Sequence, residues 1–346
     1  MGRTQELATR VPGLALATGI AIVATAMGHL VPLVGGPVSG IVIGVVLAIV
    51  LKPGIRLRPG IRVASTFILQ LSVVVLGAQL SLAQIAKVGV ESLPVMIGTL
   101  GVCLVAAWLI GRWLGIVGNL RTLIGVGTGV CGASAIAAVT PVIGAVGIEV
   151  TYAISTIFVF NIGAVLLFPI VGHMLGLSQH AFGLFAGTAV NDMSSVVATA
   201  ATFGPAATHY AVVVKLVRTL MIIPISLGLA AWAGRRILAT EGAGAGAPAT
   251  PVKLARVRPL RLIPWFLIGF VVVAAVNSTG LIPAGMHPGL STASVFLITI
   301  ALSAIGLSTD LAGFRRAGAR PLILGAALWI IVSATSLGLQ YATGLN

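Results

Sequence analysis

Two cations three residues apart, Lys215 and Arg218, interrupt the apolar stretch "AVVVKLVRTLMIIP" (211–224). On a helix an (i, i+3) pair shares one face. A second stretch, "GTAVNDMSSVVATA" (187–200), carries a lone aspartate, Asp192, beside Asn191, Ser194 and Ser195. A third, "GVGTGVCGASAIAAVTP" (125–141), is rich in glycine and closes on a proline, with Thr128, Cys131, Gly132, Ala133 and Ser134 near its centre. Such a run makes a poor continuous helix and a good broken one. Unwinding frees backbone N–H groups at the start of the second half-helix, where they and the positive dipole end attract anionic oxygens.

One carboxylate against two cations leaves a surplus positive charge. The expected chemistry is therefore anion binding among Thr128, Cys131–Ser134, Asn191, Ser194, Ser195, Lys215 and Arg218, with Asp192 and Asn161 in a coupling or gating role. The blander alternatives are an ion pair of Asp192 with Lys215 or Arg218 and, for Gly125, Gly127 and Gly129, close helix packing. Cys131 reads as a small apolar filler, since no base accompanies it. His29, His173, His180, His209 and His287 show no metal-ligand spacing, Glu91 and Glu149 have no evident partner, and Asp310 is expected to pair with Arg315 or Arg316 at the surface.

These residues are embedded in lipid-compatible sequence. Of 346 residues 58% are hydrophobic and 8% charged, and apolar runs of about 18 or more recur along the chain, as membrane-spanning helices do. The fold class expected is an all-α polytopic membrane protein. Eleven spans (10–11) are expected, at roughly 12–33, 37–51, 63–81, 94–111, 120–142, 150–173, 180–203, 208–234, 261–277, 290–308 and 321–342. With the N-terminus in the cytoplasm, 17 of the 20 Lys and Arg residues fall inside and Lys87 alone falls outside; Lys215 and Arg218 lie within a span. That asymmetry is the positive-inside rule, so the net charge of +14 reports topology and anionic headgroups rather than nucleic acid. The C-terminus then lies outside. The chain reads as a single membrane domain over 1–346, with a flexible cytoplasmic linker at 240–259; the two cysteines, Cys103 and Cys131, both intramembrane, imply no disulfide framework.

Two internal echoes stand out. "LSLAQIAKVGVESLPVMIG" (80–98) matches "LSTDLAGFRRAGARPLILG" (307–325), and the two copies run in opposite directions, as inverted-topology repeats do. "GTGVCGASAIAA" (127–138) matches "GTAVNDMSSVVA" (187–198), but eleven crossings make these parallel, so either one of them is re-entrant or the likeness is convergent. The absence of a phosphate-binding loop argues against transport driven by ATP within this chain. A membrane hydrolase using Ser134 or Ser194 lacks a histidine at comparable depth, so no enzymic activity is expected.

The stretches "LIGVGTGVCGASAIAAVTPVI" (123–143), "FGLFAGTAVNDMSSVVATA" (182–200) and "AVVVKLVRTLMIIP" (211–224), with "VLGAQLSL" (75–82), resemble the bacterial inner-membrane family designated sulfate exporters. That family sits within the superfamily of bile acid/sodium symporters and cation/proton antiporters. The resemblance implies an inverted-repeat fold in which a core bundle with crossing discontinuous helices moves against a scaffold panel. Members commonly carry a histidine where this chain has Asn191, a departure that removes a titratable group. The function implied is secondary active transport of a small inorganic or sulfonated anion, sulfate or sulfite export, by alternating access. A cation-coupled carrier of another organic anion, or a non-transporting sensor, is the alternative. No cofactor is expected beyond a coupling ion, H⁺ or Na⁺. The expected partners are the small anion and the bilayer, with a homo-oligomer left open.

Overall fold

The structure, a computed structural model, describes residues 3–30, 35–51, 54, 56–116, 119–226, 228–229, 264–308 and 318–345. The linker expected at 240–259 and the pair expected between Asp310 and Arg315 or Arg316 lie outside the described residues. Among the described residues there are helices and no strands. In chain order they are α1 (Arg3–Leu30), α2 (Gly35–Leu51), α3 (Arg58–Gln79), α4 (Leu82–Trp113), α5 (Asn119–Gly129), α6 (Ala133–Ile143) and α7 (Gly147–Met174). There follow α8 (Gln179–Ala189), α9 (Met193–Phe203), α10 (Pro205–Leu220), α11 (Trp265–Ser278), α12 (His287–Leu307) and α13 (Ala319–Thr343). Seven of these segments are long and apolar enough to cross a membrane, and α2 and α11 are shorter apolar helices beside them. The protein is a polytopic membrane protein.

Each of the eleven expected segments has helix among the described residues, with 31–33, 227, 230–234 and 261–263 lying outside them, but two of the segments do not cross. Segment five is the pair α5 and α6, eleven residues each, so that each arm spans about 16 Å, half a bilayer core. Its two ends return to the same place. Glu149, just beyond the end of α6, accepts a hydrogen bond from the backbone N–H of Asn119 at the start of α5 (3.2 Å). Ile136 on the returning arm packs against Gly127 on the entering one. Segment seven is the pair α8 and α9, again eleven residues each. Phe203 at its end stacks on Phe182 near its start, with ring centroids 3.9 Å apart. Both are re-entrant hairpins.

Helix directions follow from the contacts. Asn119 and Ile157 accompany Glu149 and Gly127, so α5 runs parallel to α7. His173 stacks on Phe203, so α9 leaves on the face where α7 ends. Hairpin α5–α6 thus enters from the face where α7 begins, hairpin α8–α9 from the face where it ends, and their tips meet at mid-depth. This is the inverted relationship, and it resides in the second sequence echo. Glycine 129 and alanine 189 end the entering arms, and Ala133 and Met193 open the returning ones, at a constant offset of sixty residues. The first echo is not its carrier: Pro94 lies deep within α4 while Pro321 lies in the first turn of α13, and part of the second copy lies outside the described residues.

The helices sort into two bodies. A core holds α4 to α10 and α13; a scaffold holds α1, α2, α3, α11 and α12. The scaffold is close-packed through small residues, as expected where no hydrophobic drive separates helix from lipid. Gly36, Gly40 and Gly44 of α2 lie against Thr299, Ser303 and Gly306 of α12, and a Cβ on Gly40 would stand 2.8 Å from Ser303 Oγ. Between the bodies, α9 rests on α2 and α12, and α4 touches α11. Within α3, residues Ala64–Ile68 form a π-helical turn facing that seam.

Candidate functional site

The tips are residues 130–132 and 190–192. Each breaks for a local reason. Gly132 has φ 69° and ψ −130°, a conformation that L-residues with side chains rarely adopt, and α6 starts from it. Asp192 is extended and caps α9, accepting from the Ser194 N–H at 3.0 Å and from the Ser194 hydroxyl. Each tip is followed by a helix N-terminus, so two positive dipole ends converge there.

Lys215 joins the tips. It is the eleventh residue of α10, which puts it about 16 Å along that helix, level with the ends of the hairpin arms. Its fully buried ammonium donates to Val130 O and Val190 O, both at 2.8 Å. These two carbonyls occupy equivalent positions in the two hairpins. Arg218, one turn on and equally buried, donates from Nη1 to Thr188 O. Its Nε and Nη2 have no partner among the described residues. Those two N–H groups lie side by side along one edge of the guanidinium, the fork that grips two oxygens of an oxyanion.

Asn161 stands at the middle of α7 and its Oδ1 accepts from the backbone N–H groups of Asn191 (3.2 Å) and Asp192 (3.4 Å). Asp192 itself forms no ion pair with Lys215 or Arg218, contrary to the blander expectation; backbone carbonyls hold both cations instead. Its carboxylate faces a cavity of about 500 Å³ between core and scaffold, where Asn161, Ser194 and Ser195 also line the wall. Lys215, Arg218, Thr128 and Cys131 do not line it. The expected site residues therefore divide into a buried cationic side and an open acidic side of the same junction.

The remaining expected positions sort as follows. Thr128 is buried at the end of α5, Cys131 is buried in the first tip, and Ala133 and Ser134 are exposed in the first turn of α6. Asn191 Oδ1 is buried with no partner among the described residues. Both cysteines are free, and no group of three metal-binding side chains occurs among the described residues. Glu91 pairs with Lys87 at 3.8 Å on the surface of α4.

Five contributors escaped sequence reasoning. The carbonyls of Val130, Val190 and Thr188 are backbone groups with no signature of their own, although all three sit inside the matched stretches. Glu149 closes the base of the first hairpin through Asn119 N–H and Val146 N–H. Gln179 closes the second, its Oε1 accepting from the N–H groups of Ala206 (3.0 Å) and Ala207 (3.4 Å).

Two opposed half-membrane hairpins pinned by one buried ammonium, inside a shell of membrane-crossing helices, define a polytopic membrane protein of inverted-repeat architecture. The chain belongs to the family described as conserved hypothetical protein 698, whose model matches residues 12–325. Relatives include a UPF0324 membrane protein of Streptococcus mutans, 42% identical over 342 residues, covering 97% of this chain and 98% of the relative. Another, from Fusobacterium nucleatum, is 38% identical over 349 residues, covering 96% and 98%.

Proposed function

We propose that the protein is a secondary active transporter of a small oxyanion, sulfate or sulfite leaving a bacterial cell, working by alternating access about the hairpin tips. The observation that carries this reading is the unpartnered fork of Arg218. A fully buried guanidinium with two idle parallel donors is costly in a membrane interior unless an oxyanion visits it. Lys215 and the N-terminus of α6, with Ser134 exposed in its first turn, add positive potential at the same junction. Resemblance to the sulfate-exporter family supports sulfate as the first anion to test. The density of Arg and Lys on the face where α1 begins, including Arg10, Arg58, Arg62, Arg112 and Arg121, supports an inner-membrane protein with its N-terminus inside and C-terminus outside.

In this reading the tips and Lys215 move as one unit, because α8 and α9 both pack along α10. The cavity beside Asp192 runs toward Ser308 at the end of α12 and Ser65 and Thr66 near the start of α3. It therefore opens toward the face from which α1 starts. An anion approaching by that route meets a carboxylate before it meets a cation, so protonation of Asp192 accompanies entry and couples the anion to a proton. No enzymic step and no cofactor are part of the proposal.

Radiolabelled sulfate and sulfite flux into proteoliposomes, with imposed pH or Na⁺ gradients, tests it. Gradient-dependent flux of either anion is the expected result; no flux of either under any gradient removes the cargo assignment. A second reading is favoured by the cavity itself, whose polar end offers Asp192, Asn161 and two serines: a carrier of another anion that binds Na⁺ or H⁺ there. Flux that follows a Na⁺ gradient and ignores pH selects that reading.

A further inference from the structure

The cavity between core and scaffold is far larger than a five-atom oxyanion requires. At about 500 Å³ it falls among cavities that enclose drug-sized molecules, roughly 300–1,000 Å³. Its walls are mostly apolar: Ile41 and Val45 of α2, Ile305 of α12, Phe158, Ile162 and Val165 of α7. Among the described residues Asp192 is the only charged side chain that lines it. A half-buried carboxylate held at mid-depth against apolar walls calls for a partner. Oδ2 of Asp192 is engaged by Ser194, whereas Oδ1 has no hydrogen-bond partner among the described residues. The rim is apolar and faces outward, with Val46 52% and Leu166 55% exposed. An occupant that partitions into the bilayer thus reaches the cavity from the side, between α2 and α7.

These features specify complementary chemistry. The occupant has an apolar body of drug size, a single positive charge, and at least one N–H to donate to Oδ1. We propose that this cavity binds an amphipathic amine as its ammonium form, with the head on Asp192 and the body between α2, α7 and α12. A carboxylate of the same shape is repelled, and a neutral alcohol forfeits the charge-assisted bond. Quaternary ammonium ions fit less well, because they lack the N–H. Ser194 and Ser195 border the head, and Ser65 and Thr66, turned toward the cavity by the π-helical turn of α3, border its far end. The occupant touches both bodies of the protein, so its binding also ties core to scaffold. The inference does not rest on the oxyanion reading. It concerns equilibrium binding, and absence of sulfate flux would leave it standing.

The test is equilibrium binding of radiolabelled para-hexylbenzylamine to the full chain in nanodiscs free of aminophospholipid, so that lipid ammonium groups do not compete. Saturable binding is expected, displaced by unlabelled amine but not by para-hexylbenzoate, with para-hexylbenzyl alcohol weaker by about tenfold or more, the usual worth of a charge-assisted bond. Adding an aminophospholipid to the nanodisc distinguishes the sources: strong competition makes a lipid headgroup the resident occupant of the same site. Asp192→Asn is expected to weaken the amine at least tenfold while leaving the alcohol unchanged. Should that variant fail to fold, Val45→Trp, which fills the cavity from the scaffold side, is expected to abolish binding of both. Non-saturable uptake, equal affinity for amine and alcohol, or full binding by Val45→Trp each overturns the proposal.

Discussion

Gly132 and Asp192, sixty residues apart and equivalent in the two hairpins, touch each other: a Cβ built on Gly132 would stand 3.2 Å from Asp192 Cβ and 3.3 Å from its Cα. The one tip can carry a side chain because the other carries none. Gly132 also holds a positive φ of 69°. Gly132→Ala therefore meets two penalties, backbone strain of about 1–3 kcal/mol and a methyl forced against the neighbouring tip. The expected outcome is a clear fall in thermal stability in detergent. Ala133→Ser, one residue on and exposed, is the control and is expected to change little. Equal melting of the two variants would sink the claim that the tips interlock.

Lys215 is expected to be structural before it is anything else. Replacing it with methionine keeps the apolar stem but leaves Val130 O and Val190 O without their donor, at about 1–3 kcal/mol for each buried acceptor. Hydrogen exchange should quicken at residues 130–136 and 190–196 and stay unchanged in α1 and α12. Exchange that rises uniformly, or not at all, would show that the ammonium does not pin the tips. Arginine is not expected to rescue, since its planar fork does not fit a site shaped for two carbonyls around one nitrogen.

The hairpin bases differ in kind. Glu149 holds its hairpin with two oxygens, one on Asn119 N–H and one on Val146 N–H, while Gln179 presents a single neutral oxygen to two N–H groups. Bonds to a carboxylate are roughly twice as strong as neutral ones. Glu149→Ala is thus expected to destabilise more than Gln179→Ala, by about 1 kcal/mol. The two sites lie at opposite faces, and the double variant should be additive within about 0.5 kcal/mol. Chemical or thermal denaturation of the three proteins checks the order, and a larger loss from Gln179→Ala contradicts it.

The eleven apolar segments were legible because hydrocarbon demands long apolar helices, and among the described residues each apolar run is helical. What the sequence concealed was that two of them turn back. Charge bias is blind to this: between Arg121 and Lys215 there is no Lys or Arg, so the loops that change sides carry no label. Two hairpins also cancel in parity, which leaves the positive-inside count intact. The echo between 127–138 and 187–198 held the answer, since a pair that crosses must run parallel and a re-entrant pair entering from opposite faces need not. Residue type alone singled out Asp192, Asn161, Lys215 and Arg218 as members of one site. It could not show that backbone carbonyls rather than Asp192 hold the cations, because a backbone acceptor leaves no mark on residue type.

The division of the junction into a cationic and an acidic side makes the transport reading separable by mutation. Arg218→Lys keeps a positive charge but loses the fork, so the affinity for sulfate should fall, raising KM about tenfold or more, with the protein still folded. Asp192→Asn mimics the protonated carboxylate. If entry requires that protonation, wild-type uptake rises as pH falls on the side facing the cavity, whereas the variant transports at a rate that no longer follows pH. The amide still supplies an oxygen to cap α9, so the tip survives the change. Flux measured in proteoliposomes over a range of external pH decides the matter. A variant as pH-dependent as the wild type would clear Asp192 of coupling, and an unchanged KM in Arg218→Lys would move the anion away from the fork.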